Sequence, residues 1–215
     1  MKSVLVIGMG RVGRHLAMKM MDLGNDVMIV DKDEEIIESL APNFTDANIG
    51  DCTNEDVLRS LGVSDFDICF VTIGENFQSS LEVTSLLKEL GAKRVVSKAS
   101  RDIQAKFLLR NGADDVFYPE REIAERLAIC YNKENIFNYV ELTHDYGIFE
   151  IPVRPGWVGK SIQDINVRKR HNISVLAVKQ GEAVTPIPGP DYIFQAEDHL
   201  VVIGKPDDVF RTCSK

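Results

Sequence analysis

Ser3-Val4-Leu5-Val6-Ile7-Gly8-Met9-Gly10-Arg11-Val12-Gly13 joins a short apolar, β-forming run to a G-x-G-x-x-G, and an amphipathic helical pattern starts at once from Arg11. Between a strand and a helix the three glycines have separate jobs. Gly8 permits the tight turn, Gly10 lets a phosphate approach the backbone, and Gly13 lets the helix pack closely on the strand. The helix start then offers free N–H donors to an anion. Asp31 stands at the end of the second expected strand, eighteen residues beyond Gly13. A carboxylate there accepts from ribose hydroxyls and repels a 2′-phosphate, which favours NAD or an adenosine nucleotide over NADP.

Outward from this motif, β-branched runs alternate with helical stretches as far as residue 118. Strands are expected at 3–7, 26–30, 44–49, 68–71, 94–97 and 115–117, and helices at 11–23, 34–40, 55–61, 77–90 and 103–111. Gly24, Gly62, Gly91 and Gly112 each sit just past one of these helices, where a left-handed residue ends the last turn. The fold class is α/β, a Rossmann-type doubly wound parallel sheet. Pro119-Glu120-Arg121-Glu122 opens a further helix, since proline and acidic residues suit the first turn. Its apolar positions Ile123, Leu127 and Tyr131 fit either a packing helix or a dimer-crossover helix. From Tyr139 the rhythm changes to short strands, expected at 139–143, 148–153, 174–178, 183–186 and 199–203, with Gln180-Gly181-Glu182 as a hairpin turn. This divides the chain into a nucleotide-binding domain at 1–118, a crossover helix and linker at 119–137, and a second, smaller α+β domain at 138–215.

Composition narrows the function. With 44% hydrophobic and 27% charged residues the chain is a globular protein, and its formal charge of −8 comes without a basic stripe. That argues against nucleic acid as a partner. No apolar run approaches the ~20 residues of a membrane-spanning helix, and the first strand is not a signal peptide. Cys52, Cys69, Cys130 and Cys213 make no CxxC pair, and His15, His144, His171 and His199 form no cluster, so neither metal-ligand spacing nor an acid–base histidine is visible. The cysteines read as ordinary thiols of a reducing cytoplasm.

Several other residues fall at the carboxyl edge of the sheet, where ligands bind in this fold. Arg11 could hold terminal phosphates of ATP or ADP, or be a solvated helix-start arginine. Gly50-Asp51-Cys52 follows the third strand and Thr72-Ile73-Gly74-Glu75-Asn76 the fourth. Asp51 could accept from an adenine amine, or cap the helix after Thr53. Lys98 could balance ligand charge or be a surface lysine, and Glu120 could meet a phosphate-bound cation or serve its own helix terminus.

With the glycine loop, Asp31, Gly50-Asp51, Thr72-Ile73-Gly74 and Tyr118-Pro119-Glu120 in place, the chain resembles the RCK (KTN) regulatory subunits of bacterial Trk and Ktr potassium uptake systems. Gly159-Lys160-Ser161-Ile162, Asn166-Val167-Arg168 and residues 198–204 resemble the family's TrkA-C domain. The resemblance implies a homo- or hetero-oligomeric ring, commonly of eight subunits, peripheral on the cytoplasmic face of a membrane potassium-translocating subunit. It implies an adenosine nucleotide (ATP, ADP or AMP) or NAD/NADH as ligand, held by Gly8, Met9, Gly10, Arg11, Val12, Gly13, Asp31, Lys32, Asp51, Cys52, Thr72, Ile73, Gly74, Lys98 and Glu120. In Ktr-type members the residue matching Glu120 can help hold a divalent cation between subunits. Trk-type subunits are often tandems, so a single unit is closer to the Ktr type or to a half-length Trk subunit.

Two rivals differ in class. A small NAD-dependent oxidoreductase needs a substrate domain with a positioned acid or base, and the second half has no histidine–carboxylate constellation. A redox-sensing transcription regulator needs a helix-turn-helix or a basic patch, and neither is apparent. The expectation is a chain with no catalytic residue, gating a potassium channel or transporter by ligand-dependent change of the ring.

Overall fold

The computed structural model describes residues 1–132 and 135–213, in two compact units, Met1–Arg121 and Glu122–Lys215. Lys133 and Glu134 of the expected linker, and Ser214 and Lys215 of the expected second domain, lie outside the described residues.

The first unit holds strands β1 (Ser3–Ile7), β2 (Asp26–Asp31), β3 (Asp46–Ile49), β4 (Ile68–Val71), β5 (Val95–Lys98) and β6 (Asp115–Phe117). Between them run helices α1 (Arg11–Asp22), α2 (Glu34–Leu40), α3 (Glu55–Ser60), α4 (Phe77–Glu89) and α5 (Asp102–Arg110). All strand pairs are parallel, in the order β3-β2-β1-β4-β5-β6. β1 is apolar at successive positions because both faces of the sheet are covered. Val4 and Val6 pack with Ile29, Ala17 and Ile37 on one side, while Leu5 and Ile7 pack with Val30, Leu58, Val83 and Leu87 on the other.

Gly24, Gly62, Gly91 and Gly112 adopt φ of +79°, +66°, +85° and +111°, the left-handed conformation expected of them after α1, α3, α4 and α5. Four strand ends of this unit differ from the sequence reading, two of them simply: β2 ends at Asp31 rather than residue 30, and β5 starts at Val95 rather than residue 94. Pro42 builds a 3-10 turn at Ala41–Asn43, so β3 starts at Asp46 rather than residue 44, while Phe44 turns into the core. β5 runs one residue further because Lys98 pairs with Phe117 of β6.

Helix α6 (Pro119–Asn132) crosses the unit boundary and has no buried residue. The second unit has strands β7 (Asn138–Thr143), β8 (Tyr146–Pro152), β9 (Ser174–Gln180), β10 (Ala183–Pro186) and β11 (His199–Gly204), antiparallel in the order β10-β9-β11-β8-β7. Gly181, at φ +56°, makes the expected turn between β9 and β10. Short helices α7 (Ile162–Ile165) and α8 (Val167–His171) and the terminal α9 (Pro206–Cys213) complete it. Phe149, Ile151, Trp157, Phe194, Leu200 and Val209 form its core. Asp198, fully buried, accepts from Gln180 Nε2 at 2.7 Å, Tyr192 Oη at 3.1 Å and the Gln195 amide at 2.8 Å, so its desolvation is offset by three donors.

Candidate functional site

The sheet's strand order reverses between β1 and β4, which leaves a crevice at the carboxyl edge that no crossover helix covers. Residues 8–10, 31–33, 50–53 and 72–76 line a cleft there of about 330 Å³, within the range of small-molecule sites.

The glycine loop is shaped by close approach. Gly8 has φ +96°, and a Cβ on Gly13 would stand 2.0 Å from Gly8 O and 2.7 Å from Thr72 Oγ1. A Cβ on Gly10 would meet nothing within 4 Å, so that glycine leaves its backbone open on the cleft side. Two side chains tie the loop down. Thr72 Oγ1 bonds to Ile7 O at 3.0 Å and Gly8 O at 2.5 Å, while Asp31 Oδ2 accepts from the Met9 amide at 2.5 Å. Behind it, Arg14 Nε donates to Met9 O at 2.7 Å.

Helix termini around the cleft are not alike. Asp33, Asn54 and Asn76 each accept a first-turn amide of α2, α3 and α4 with their side chains. Helix α1 has no such side-chain cap and no acid in its first turn, and its N-cap residue is Gly10. Its free amides and the positive end of its dipole are therefore available to an anion. Asp31 Oδ1 accepts from the Asp33 amide at 3.0 Å, and with about four lone-pair positions on a carboxylate, two stay available to ribose hydroxyls.

The structure divides the expected residues into three groups. Gly8, Gly10, Asp31, Lys32, Asp51, Cys52, Thr72, Ile73 and Gly74 line the cleft. Met9, Val12 and Gly13 do not, with Met9 and Gly13 buried in the loop's support. Arg11, Lys98 and Glu120 form a group beside it. Lys98 Nζ lies 2.5 Å from Glu120 Oε1, and a Cβ on Gly74 would be 3.2 Å from the same ammonium. The Lys98 hydrogen bond, helped by the charges of Lys98 and Arg11, holds the Glu120 carboxyl below its usual range.

Asp51 does not cap α3, because Asn54 does, accepting from the Asp56 amide at 3.0 Å. Asp51 instead accepts from the Thr53 hydroxyl at 2.7 Å and the Thr53 amide at 3.0 Å, and these bonds lower its pKa. Burial, then the charges of Asp51 and Asp31, push the Cys52 thiol up to about 12, so it stays protonated and is no nucleophile. No histidine lines the cleft. The arrangement can bind a phosphate and a diol, and the titratable groups along it are the Asp31, Asp33, Asp51 and Glu75 carboxylates, the Lys32 ammonium and the Cys52 thiol.

Ile7, Asp33, Ile36, Thr53 and Ser79 also line the cleft and were missed in the sequence reading. Asp33 and Ile36 were findable, since an Asp three residues before an apolar residue at a helix start places both one turn from Asp31. Arg14 carried no separate signal.

Residues 4–119 match the TrkA-N domain and residues 148–214 the TrkA-C domain. The chain is 36% identical to Ktr system potassium uptake protein C and 35% identical to Ktr system potassium uptake protein A, both of Bacillus subtilis (strain 168), in each case over 98% of this chain and 95% of the relative. Among solved structures, the GsuK channel bound to NAD superposes with a TM-score of 0.68 at 18% identity, covering 96% of this chain and 38% of that one, a likeness of fold. Matched along nearly its whole length, the chain belongs to the TrkA-N/TrkA-C family of potassium uptake proteins, the family of the Ktr system's A and C proteins.

Proposed function

We propose that the chain is a nucleotide-sensing regulatory subunit of a membrane potassium channel or transporter. It takes an adenosine nucleotide or NAD/NADH in the β1–β4 crevice and converts ligand identity into the shape of an oligomeric ring of eight subunits on the cytoplasmic face of the membrane. It does no chemistry on the ligand. The observation that carries this is the uncapped start of α1 at Gly10, facing the cleft beside the Asp31 carboxylate. One offers donors to phosphate and the other acceptors to ribose. Similarity to the Bacillus Ktr potassium uptake proteins supports a role in potassium uptake, and the GsuK channel bound to NAD supports a nucleotide in this fold. Among the described residues no helix is long and apolar enough to cross a membrane, which fits a subunit that works through a membrane partner.

In this reading residues 1–118 bind nucleotide, 119–137 link subunits, and 138–215 form the regulatory domain. The exposed Ile123, Leu127 and Tyr131 of α6 support the crossover role. Arg11, Lys98 and Glu120 together carry one net positive charge, which suits terminal phosphates. Glu120 alone does not make a cation site. No group of three metal-ligating side chains occurs among the described residues, and its Oε1 is taken by Lys98. A cation there would need phosphate oxygens or a second copy for its other ligands.

Native mass spectrometry of the purified protein reads bound nucleotide and subunit number together. Small-angle scattering with ATP, ADP and AMP then tests the switch, since a ligand indifferent to two conformations shifts neither. Distinct profiles, with potassium flux through the reconstituted partner in the same order, are expected. Identical profiles and flux for all three would end the sensing role.

A further inference from the structure

Arg14 lies outside the wall of the β1–β4 crevice, yet it bonds to the loop that forms the phosphate path. Half-buried in the opening of α1, it reaches back along the chain with both its donors. Its Nε donates to Met9 O at 2.7 Å, and its backbone N–H donates to Gly10 O at 3.1 Å. The Met9–Gly10 peptide is trans, so its carbonyl and its N–H point in opposite directions, and fixing one fixes the other. Gly10 lines the cleft and Met9 and Arg14 do not. With Met9 O held on the Arg14 side, the Gly10 N–H is turned to the cleft side. Among the described residues that N–H meets no acceptor.

Nothing else in the loop does this work. Thr72 Oγ1 bonds to the carbonyls of Ile7 and Gly8, and Asp31 Oδ2 accepts from the N–H of Met9, so both grip peptides upstream. Sterics do not hold the Met9–Gly10 peptide either. A Cβ on Gly10 would meet nothing within 4 Å, and glycine tolerates a rotated peptide before it. Arg14 is also poorly placed for the helix itself. The positive end of a helix dipole disfavours cations, and α1 puts Arg11 and Arg14 within its first four residues, with no acid in the first turn.

We infer that Arg14 is a positioning residue of the nucleotide site: by holding Met9 O it aims the Gly10 N–H at the phosphate of the bound nucleotide. The inference rests on the nucleotide reading of the crevice and extends it to a residue behind the loop. It concerns the phosphate alone. Adenosine, which has none, makes no use of this donor, and the ribose contact belongs to Asp31. The guanidinium also adds positive field near α1, an effect of charge that has to be separated from the effect of the bond.

Glutamine separates them. Its Nε2 is bonded to Cδ just as arginine Nε is, so Arg14→Gln keeps a donor in that place without the charge, while Arg14→Leu removes both. Leucine, arginine and glutamine have similar helix propensities, so α1 itself is little affected. The full-length protein and both variants, with matched thermal unfolding midpoints, are titrated with ADP and with adenosine at constant ionic strength. The ADP dissociation constant should rise about tenfold in Arg14→Leu and stay within about threefold of wild type in Arg14→Gln, with adenosine binding alike in all three. Full ADP affinity in Arg14→Leu would overturn the inference. So would an Arg14→Gln as weak as Arg14→Leu, which would assign the effect to charge, or adenosine weakened as much as ADP, which would mean a general loss of structure. Each of these leaves the nucleotide reading standing. Wild-type protein that binds neither ADP nor NAD would overturn that reading itself, and this inference with it.

Discussion

Substituting Gly10 and Gly13 separately distinguishes a glycine kept for a ligand from one kept for packing. In Gly13→Ala the new Cβ falls 2.0 Å from the Gly8 carbonyl oxygen and 2.7 Å from Thr72 Oγ1, and the first of these neighbours is backbone. Relief requires the loop and α1 to separate by about 1 Å, an overpacking that costs about 3 kcal/mol. Alanine returns about 1 kcal/mol of helix propensity within α1. The clash wins by about 2 kcal/mol, so the first unit should melt roughly 5–10 °C lower without ligand. In Gly10→Ala nothing lies within 4 Å of the new Cβ and φ is an ordinary −65°, so the melting temperature should stay within about 2 °C of wild type. Its methyl stands where a phosphate must approach the α1 amides, and nucleotide affinity should fall about tenfold or more. Differential scanning calorimetry of ligand-free protein and titration calorimetry with ADP measure the two effects. Equal melting of wild type and Gly13→Ala would refute the packing argument, and full ADP affinity in Gly10→Ala would refute the phosphate path.

Asp31→Ala should weaken adenosine-nucleotide binding by about 1–3 kcal/mol, the cost of unpaired ribose hydroxyls, and calorimetry showing unchanged affinity in a folded variant would remove the ribose role. Arg11→Ala should lower affinity for ATP more than for AMP, since only the longer ligand reaches the Arg11 side of the cleft with extra charge, whereas equal losses would return Arg11 to the solvated surface. Burial alone would raise the Glu150 carboxyl, but hydrogen bonds from Lys179 and His199 hold it below the usual range. The native state then binds fewer protons than the unfolded chain. The resulting stability is complete above about pH 5 and is lost as pH falls through 4 and below. Glu150→Gln should flatten that acid limb in urea unfolding, and an unchanged slope would mean that Glu150 contributes nothing to it.

The doubly wound sheet was legible because local signals agreed with one another. The strand–glycine–helix join at Gly8, the left-handed glycines after α1, α3, α4 and α5, and the apolar β1 all report the same architecture. The start of β3 was not legible, since the tilt that Pro42 gives residues 41–43 depends on Phe44 finding the core. Helices α7 and α9 carried signals that were passed over. Ser161 and Asp164 form a capping box, and Pro206-Asp207-Asp208 repeats the proline–acid opening recognised at Pro119. Helices of four and eight residues have too little periodicity to register. In the cleft, edge position identified Asp51, Thr72 and Gly74, because strand ends fix it. The bond from Asp31 to the Met9 amide and the pairing of Lys98 with Glu120 join residues 22 positions apart in each case, and no local pattern encodes such pairs.

The two ties on the glycine loop bear on speed as well as affinity. Thr72 grips the carbonyl side at Ile7 and Gly8 while Asp31 grips the amide of Met9, so the loop's conformation is set by the chain itself. An arriving phosphate has no disordered segment to organise, and little of its contact energy is diverted into closing the loop. Capture of different nucleotides should then proceed at closely similar rates, governed by diffusion and by the field around α1. Discrimination among them would reside in how long each one stays, which makes residence time the variable a partner would read.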